Sequence, residues 1–311
     1  MWPIAELRNA ASMFQLTQLI DSIPAHLRLR RTLRGSASTS RPGIRFIDLG
    51  DCVIRVRQSG AGPSLAIATD PPVPIEIYDE LIGRLQAHFS ITVFELPGFG
   101  CSLPRWRFQM SMPVACATVT RLLEHLGGPH SLLMPCVTGY IALVIARQRP
   151  DLVQRVILSQ TPTWRDGQRW LAARDPRHLL RRPFVGQLAL AALRRQRINQ
   201  WYASALADQD QVARYARATL ENFDAGGSFA LASAFQDFLS DHHGLLQPVA
   251  TPVLHLSGDQ DASHAHSCFA DVCALAPNIE HHTFARAGHF PELEASDPAA
   301  NAIRNFTESH S

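Results

Sequence analysis

Ser131-Leu132-Leu133-Met134-Pro135-Cys136-Val137-Thr138-Gly139-Tyr140-Ile141-Ala142-Leu143 changes character once, and the change falls at Cys136. Ser131 to Met134 is a short apolar run closed by Pro135, the length expected of a buried strand. From Tyr140 the apolar residues Ile141, Leu143, Val144 and Ile145 continue into a helix-length segment that Arg149-Pro150 stops. A thiol held at such a strand-to-helix turn projects from the backbone. The first amides of the helix, that of Val137 included, then point at charge developing beside it. A helix N-terminus also favours thiolate over thiol. The stretch therefore predicts a nucleophile at Cys136 and acyl transfer as its chemistry.

The segment resembles the nucleophile elbow of the α/β-hydrolase family, G-x-S-x-G, with Met134, Pro135, Cys136, Val137 and Thr138 at the five positions. Cysteine replaces serine and both flanking glycines are missing, so Met134 and Thr138 must be absorbed by altered packing. Three further segments carry the resemblance in the family's chain order. Phe94-Glu95-Leu96-Pro97-Gly98-Phe99-Gly100-Cys101-Ser102 is similar to the D-x-P-G-x-G-x-S turn after the fourth core strand, with Glu95 for the aspartate. Thr251-Pro252-Val253-Leu254-His255-Leu256-Ser257-Gly258-Asp259-Gln260-Asp261 resembles the late strand whose tip bears the triad acid, which implies Asp261 rather than Asp259. Ala287-Gly288-His289-Phe290-Pro291-Glu292-Leu293-Glu294 resembles the segment that delivers the triad base, which implies His289. His264, His266, His281 and His282 lie in polar stretches without that setting.

The resemblance departs most at the oxyanion hole. The family ends its third core strand with His-Gly, and the following residue donates the second oxyanion N–H. With Ser64-Leu65-Ala66-Ile67-Ala68 as that strand, Thr69-Asp70 fall over His-Gly and Pro71 over the donor, yet proline has no N–H. The Thr69 hydroxyl is one substitute; a register one residue shorter makes Asp70 the donor. Losing one such donor costs a serine hydrolase about 10²–10³ in rate.

Around these segments, Ile44 to Asp48 and Cys52 to Val56 read as an opening hairpin turning at Gly50-Asp51. Strands at Leu65–Ala68, Ile91–Glu95, Ser131–Met134, Val156–Ser159, Val253–Ser257 and Ile279–Phe284 alternate with helical segments. That order predicts an α/β fold, a mostly parallel sheet with helices on both faces. The resemblance implies the α/β-hydrolase fold with an inserted helical cap. The expected organisation is an N-terminal helical extension and linker over 1–42, a first part of the core over 43–163, the cap over 164–247 and a second part of the core over 248–311. Leu7, Phe14, Leu16, Leu19 and Ile20 suggest one or two amphipathic helices in the extension, and Gly35 to Ser40 reads as a flexible linker.

Composition excludes several classes of function. The 311 residues, 46% hydrophobic, suffice for one such domain with a lid. All 29 basic residues are arginine, which removes Schiff-base and lysine-base chemistry. A net charge of +2 is too small to argue for nucleic acid. No run approaches ~18 apolar residues and no signal-peptide core is evident, so the expected location is cytoplasmic, away from membranes. Cys52, Cys101, Cys116, Cys136, Cys268 and Cys273 show neither C-x-x-C pairs nor Cys/His ligand spacing, so neither disulfides nor zinc is expected. Cys101 is expected to be buried, and Cys268 and Cys273 to face the core from a helix. No cofactor is expected, and the oligomeric state is left open.

Arg165, Arg169, Arg174, Arg177, Arg181, Arg182, Arg194, Arg195 and Arg197 crowd the first half of the cap segment. Such a run suits a solvated helical face, or an acyl group carried on a phosphopantetheine arm of coenzyme A or an acidic carrier protein. Trp164, Trp170, Phe184, Trp201, Tyr202, Phe223, Phe229, Phe235 and Phe238 supply aromatic surface to roof an apolar pocket.

The chain thus reads as an enzyme in which His289, oriented by Asp261, deprotonates Cys136 for attack on a small ester, lactone or thioester. Water, an external acceptor or an internal nucleophile would then give hydrolysis, acyl transfer or cyclisation. Two other readings remain: a lyase or cyclase using His289 and Asp261 as general base without the thiol, and a catalytically silent ligand-binding homologue.

Overall fold

The computed structural model describes residues 41–310 apart from 106–107, 109, 226–229, 240–245, 266 and 268, together with Thr17 and Leu27. The amphipathic helices and linker expected before Arg41 lie outside the described residues, except at those two positions.

The hairpin forms as its sequence predicts: β1 (Ile44–Asp48) pairs antiparallel with β2 (Cys52–Ser59). Strands β3 (Ser64–Ala68), β4 (Ser90–Phe94), β5 (Leu103–Pro104), β6 (His130–Pro135), β7 (Val153–Ser159), β8 (Val253–Gly258) and β9 (Ile279–Phe284) complete one sheet. Its order is β1-β2-β4-β3-β6-β7-β8-β9, with the short β5 pairing β2 off that path. From β4 to β9 every pairing is parallel. The central strands β6 and β8 are buried at every position because both faces of the sheet are covered, His130, Ser131, His255 and Ser257 included. The sequence reading missed only β5, whose two residues carry no periodicity.

Helices α1 (Asp79–Leu85), α2 (Met112–Leu126) and α3 (Thr138–Gln148) follow β3, β5 and β6. Ser111 caps α2 by accepting from the Val114 N–H at 3.4 Å, Pro113 occupies its first turn, and Gly127, at φ 73°, ends it. Between β7 and β8 the described residues form the helices α4 (Trp164–Arg174), α5 (Val185–Ala205) and α6 (Val212–Ala225). After β9, α7 (Ser296–Ser309) packs beside α1. Two apolar clusters fill the faces of the sheet. One joins α2 and α3 to β2, β6 and β7; the other joins α1 and α7 to β3 and to Ile198 and Tyr202 of α5. Burial of these faces, at roughly 25 cal/mol per Å² of apolar surface, is the main stabilising contribution.

A buried ion network locks the turn after β4 to β2. Arg55 pairs with Glu95 at 3.3 Å and with Glu76, and Glu95 also accepts the Ile75 N–H at 3.1 Å and the Cys101 N–H at 2.8 Å. Full burial pushes the Glu95 carboxyl up to about 7 despite Arg55. The longer glutamate, in the place of the family's aspartate, reaches both amides. Cys101 is buried as expected, and burial pushes its thiol up to about 12. Cys273, expected to face the core, is exposed instead, because its segment is a 3₁₀ turn over Phe269–Leu275 with no amphipathic α-helical face. Cys268 lies outside the described residues.

Candidate active site

Cys136 sits between β6 and α3 at φ 47°, a left-handed conformation that side chains other than glycine's rarely take. Its N–H donates to the Ser159 carbonyl at 2.7 Å, which ties the turn to β7. The elbow absorbs its non-glycine flanks. Met134 lies wholly buried at the end of β6, and the Thr138 hydroxyl donates back to the Pro135 carbonyl. Gly139 leaves no room for a side chain as packed, because a Cβ there would lie 2.3 Å from the Thr161 hydroxyl.

His289 and Asp261 come from the loops after β9 and β8. Those loops cross at Gly258, where a Cβ would stand 2.1 Å from the Gly288 carbonyl. The His289 Nδ1–H donates to Asp261 Oδ2 at 2.7 Å. Asp261 Oδ1 accepts from the Ser263 N–H at 2.8 Å and the His264 N–H at 3.2 Å, and Oδ2 accepts the Gln160 amide at 2.8 Å. Burial works to raise the Asp261 carboxyl, but His289 above all, with His264 and the Ser263 hydroxyl, holds it well below the usual carboxylate range. Asp259, the competing acid, is exposed and accepts the Arg286 N–H at 2.8 Å, away from the imidazole.

The His289 loop is clamped from outside. Glu294 accepts from the N–H groups of Gly288 at 3.0 Å, Phe290 at 3.3 Å and Ala207 at 2.7 Å. The His289 N–H donates to the Ala205 carbonyl, the last residue of α5, at 2.6 Å. The Cys136 sulfur, a ring nitrogen of His289 and a ring nitrogen of His264 all lie within 4.8 Å of one another.

Asp70 supplies the feature that sequence reasoning did not resolve. Its Oδ2 lies 3.3 Å from His289 Nε2, the nitrogen that faces away from Asp261, without the alignment of a hydrogen bond. Its N–H donates to the buried Tyr78 hydroxyl at 3.2 Å, so the register that would make Asp70 a backbone oxyanion donor offers no free amide. Pro71 lines the cleft and has no N–H, while Thr69 is buried outside the cleft lining, its hydroxyl without a partner. Of the backbone donors expected here, only the Val137 N–H remains, directed at the Cys136 sulfur.

Burial and the neighbouring Asp70 charge push the Cys136 thiol up to about 11, against the opposing pull of His289 and the Val137 N–H. Burial alone would lower His289, yet Asp261, the Cys136 sulfur and Asp70 together hold it well above its ordinary value. Burial also raises Asp70. Cys136, His289 and Asp70 thus retain their protons to higher pH than they would in isolation, while Asp261 gives its proton up earlier.

Two residues of this site were not singled out from sequence. Gln160, buried at φ 50° after β7, braces Asp261 and accepts the Gly258 N–H at 3.1 Å. His264, read as lying in a polar stretch, is buried with its ring stacked on His289 at a centroid distance of 4.8 Å. The signal available for Gln160 was a polar residue directly after the apolar run Val156-Ile157-Leu158 and Ser159; nothing local marks His264.

The cleft over Cys136 encloses a cavity of about 130 Å³, room for a group of roughly benzene size. Trp170, Trp201, Phe235 and Phe238 line it, with Arg174 and Arg197. Trp164, Phe184, Tyr202 and Phe223 pack elsewhere, and Phe229 lies outside the described residues. Among the described residues no helix is long and apolar enough to cross a membrane.

A parallel sheet with a strained turn bearing Cys136, and His289 and Asp261 delivered by the last two strand loops, is the architecture of an α/β-hydrolase enzyme. A model of the alpha/beta hydrolase fold family matches residues 59–296, and the chain belongs to that family. Among curated relatives, the pimeloyl-(acyl-carrier protein) methyl ester esterase of Xanthomonas campestris pv. campestris is 26% identical over 254 residues, covering 79% of this chain and 96% of its own. The esterase of the same name from Stenotrophomonas maltophilia is 25% identical over 252 residues, covering 80% and 94%. Solved structures with the same fold include Cfl2 from Burkholderia cenocepacia, at TM-score 0.70 and 19% identity over 85% of this chain and 95% of that one. The Bacillus megaterium epoxide hydrolase aligns at TM-score 0.66 and 18% identity over 85% and 100%.

Proposed function

We propose that this enzyme performs acyl chemistry on an ester or thioester through a Cys136 nucleophile, with His289 as base and Asp261 orienting it. The observation that carries the reading is the 2.7 Å Nδ1–H···Oδ2 contact between His289 and a firmly ionised Asp261, within reach of a sulfur held at the elbow. As the sulfur attacks a carbonyl carbon, its proton passes to His289 Nε2 and the carbonyl oxygen takes up charge beside the Val137 N–H. The tetrahedral intermediate expels the alkoxide or thiolate, which takes the proton from His289. The acyl-cysteine is then resolved by water or another acceptor. The Asp70 carboxylate, 3.3 Å from His289 Nε2, stabilises the imidazolium that the proton transfer from Cys136 forms.

The substrate is an ester of a small acyl group, free or carried on a phosphopantetheine arm. The relatives' named substrate, a methyl ester of an acyl-carrier-protein conjugate, supports this reading, as do Arg174 and Arg197 at the cleft. Among the described residues neither arginine is in a salt bridge; Arg174 donates to the Ser204 hydroxyl at 3.0 Å and Arg197 to the Arg174 carbonyl at 3.4 Å. Both retain donors for a phosphate or carboxylate.

The scarcity of backbone oxyanion donors favours a second reading, proton abstraction by His289 without a covalent intermediate. Intact-protein mass spectrometry after incubation with activated esters and acyl thioesters separates the two. An adduct on wild type that is absent from Cys136→Ala supports the covalent route. Full turnover by Cys136→Ala together with its loss in His289→Ala supports the second.

A further inference from the structure

His264 has no part in the acyl chemistry, yet it is buried in the site. Its ring lies between Trp170, stacked at 5.6 Å and 5°, and His289, stacked at 4.8 Å and 9°. One nitrogen, Nδ1, is 3.3 Å from the Ser267 hydroxyl; the other, Nε2, is buried with no hydrogen-bond partner. Leaving such a nitrogen unsatisfied costs about 1–3 kcal/mol.

We propose that Cys136, His264 and His289 form a binding site for a thiophilic divalent cation of the Zn²⁺ class, and that the bound ion competes with acylation of Cys136. The donor set is one sulfur and two imidazole nitrogens within 4.8 Å of one another, all on buried residues. Sulfur and imidazole donors select Zn²⁺ over Mg²⁺ or Ca²⁺, which require oxygen. A tetrahedral ion with bonds of about 2.0–2.3 Å holds its donors roughly 3.5 Å apart, so the cluster must contract by about an ångström. Rotation of His264 out of its parallel stack supplies that movement, since parallel rings cannot aim two lone pairs at one point.

The surroundings resemble those of built metal sites. His289 presents its Nδ1–H to Asp261 at 2.7 Å, the carboxylate–histidine arrangement that orients a ligating Nε2. Asp70 Oδ2, 3.3 Å from that Nε2, is placed to be the fourth donor. On binding, the Cys136 thiol and the protonated His289 Nε2 each release a proton to solvent, and the freed sulfur and nitrogen lone pairs bond to the metal, which keeps its oxidation state. The sulfur is then unavailable to attack a carbonyl. The ligands come from positions 136, 264 and 289, on three separate loops, so no Cys/His spacing reveals them in sequence.

The test is titration of chelator-treated protein with Co²⁺, read by absorbance, then Zn²⁺ protection of Cys136 from iodoacetamide, read by mass spectrometry. The expected result is one Co²⁺ per chain with a thiolate-to-cobalt charge-transfer band absent from Cys136→Ser, displacement by Zn²⁺, and at least ~10-fold slower alkylation of Cys136 in the Zn²⁺ form. His264→Phe, which keeps an aromatic ring in the stack, should weaken binding by at least ~10-fold. Absence of the band, alkylation indifferent to Zn²⁺, or wild-type affinity in a His264→Phe protein with native near-UV circular dichroism would each overturn the proposal. The alkylation arm uses wild-type protein, so misfolding of a variant does not leave the question open. None of these readouts requires turnover, so they stand apart from the acyl-transfer reading.

Discussion

Replacing Asp70 with asparagine isolates the charge that distinguishes this site. The carboxylate lies 3.3 Å from His289 Nε2, and an opposite charge at that range moves a pKa by about 1–3 units. Each unit corresponds to about 1.4 kcal/mol between the protonation states. The sign follows from the direction of the shift. His289 is held above its ordinary value, so the neutral base is lost as pH falls through that raised midpoint, and kcat/KM should climb along an acidic limb centred above about 6.5. In Asp70→Asn the limb should move to lower pH by at least about one unit, while Asp261 on the opposite nitrogen preserves part of the elevation. At a pH one unit below the wild-type midpoint only about a tenth of the base is neutral, so a two-unit shift restores nearly all of it, an almost tenfold gain relative to each enzyme's plateau. The assay is kcat/KM for an activated ester across the pH range. Plateau height is read separately, because a change in the chemical step alters it without moving the midpoint. Midpoints that coincide within ~0.3 unit would refute the claim that Asp70 holds the proton on His289.

Asp261→Asn should lower kcat by about 10⁴-fold by favouring the wrong imidazole tautomer, and Gln160→Met, which removes the brace on that carboxylate and the acceptor of the Gly258 N–H but leaves the carboxylate itself, should lower it by less; steady-state kinetics on both variants checks the ranking. Glu95→Ala leaves Arg55 buried with only Glu76 as ion-pair partner and should cost about 3 kcal/mol, measured as a lowered urea midpoint at unchanged slope. Glu292 is fully buried and pushed up to about 7, so its folded pKa lies above its unfolded value and its ionisation cost appears as pH rises from about 4.5 through 7. Glu292→Gln should accordingly stabilise the protein by roughly 2–3 kcal/mol at pH 8 and by little at pH 4.5, and urea melts at the two pH values would show it.

The strands and the Cys136, Asp261 and His289 positions were legible because each is encoded locally: an apolar run, a polar break at a turn, a glycine where two loops cross. What escaped depends on partners distant in sequence. Asp70 faces His289 across the site, and its N–H is claimed by Tyr78, whose phenol is an ordinary apolar-looking residue until the fold brings it round. Gln160 reaches Asp261 from a different strand. His264 sits in a polar run, yet burial follows from Trp170 covering it from α4, a contact no window around residue 264 contains. Cys273 failed in the other direction, because an apolar composition did not guarantee an α-helix with an inward face.

The bond from the His289 N–H to the carbonyl of Ala205 joins the base to the end of the helix that also walls the cleft through Leu190, Arg197, Ile198 and Trp201. Glu294 doubles the tie through the Ala207 N–H. Lifting the end of helix α5 away from the core breaks both ties, since its last turn carries the anchor of the imidazole's own backbone. Any opening wide enough to part Ala205 from His289 also frees the base, so access to the cleft and readiness of the base share one mechanical linkage.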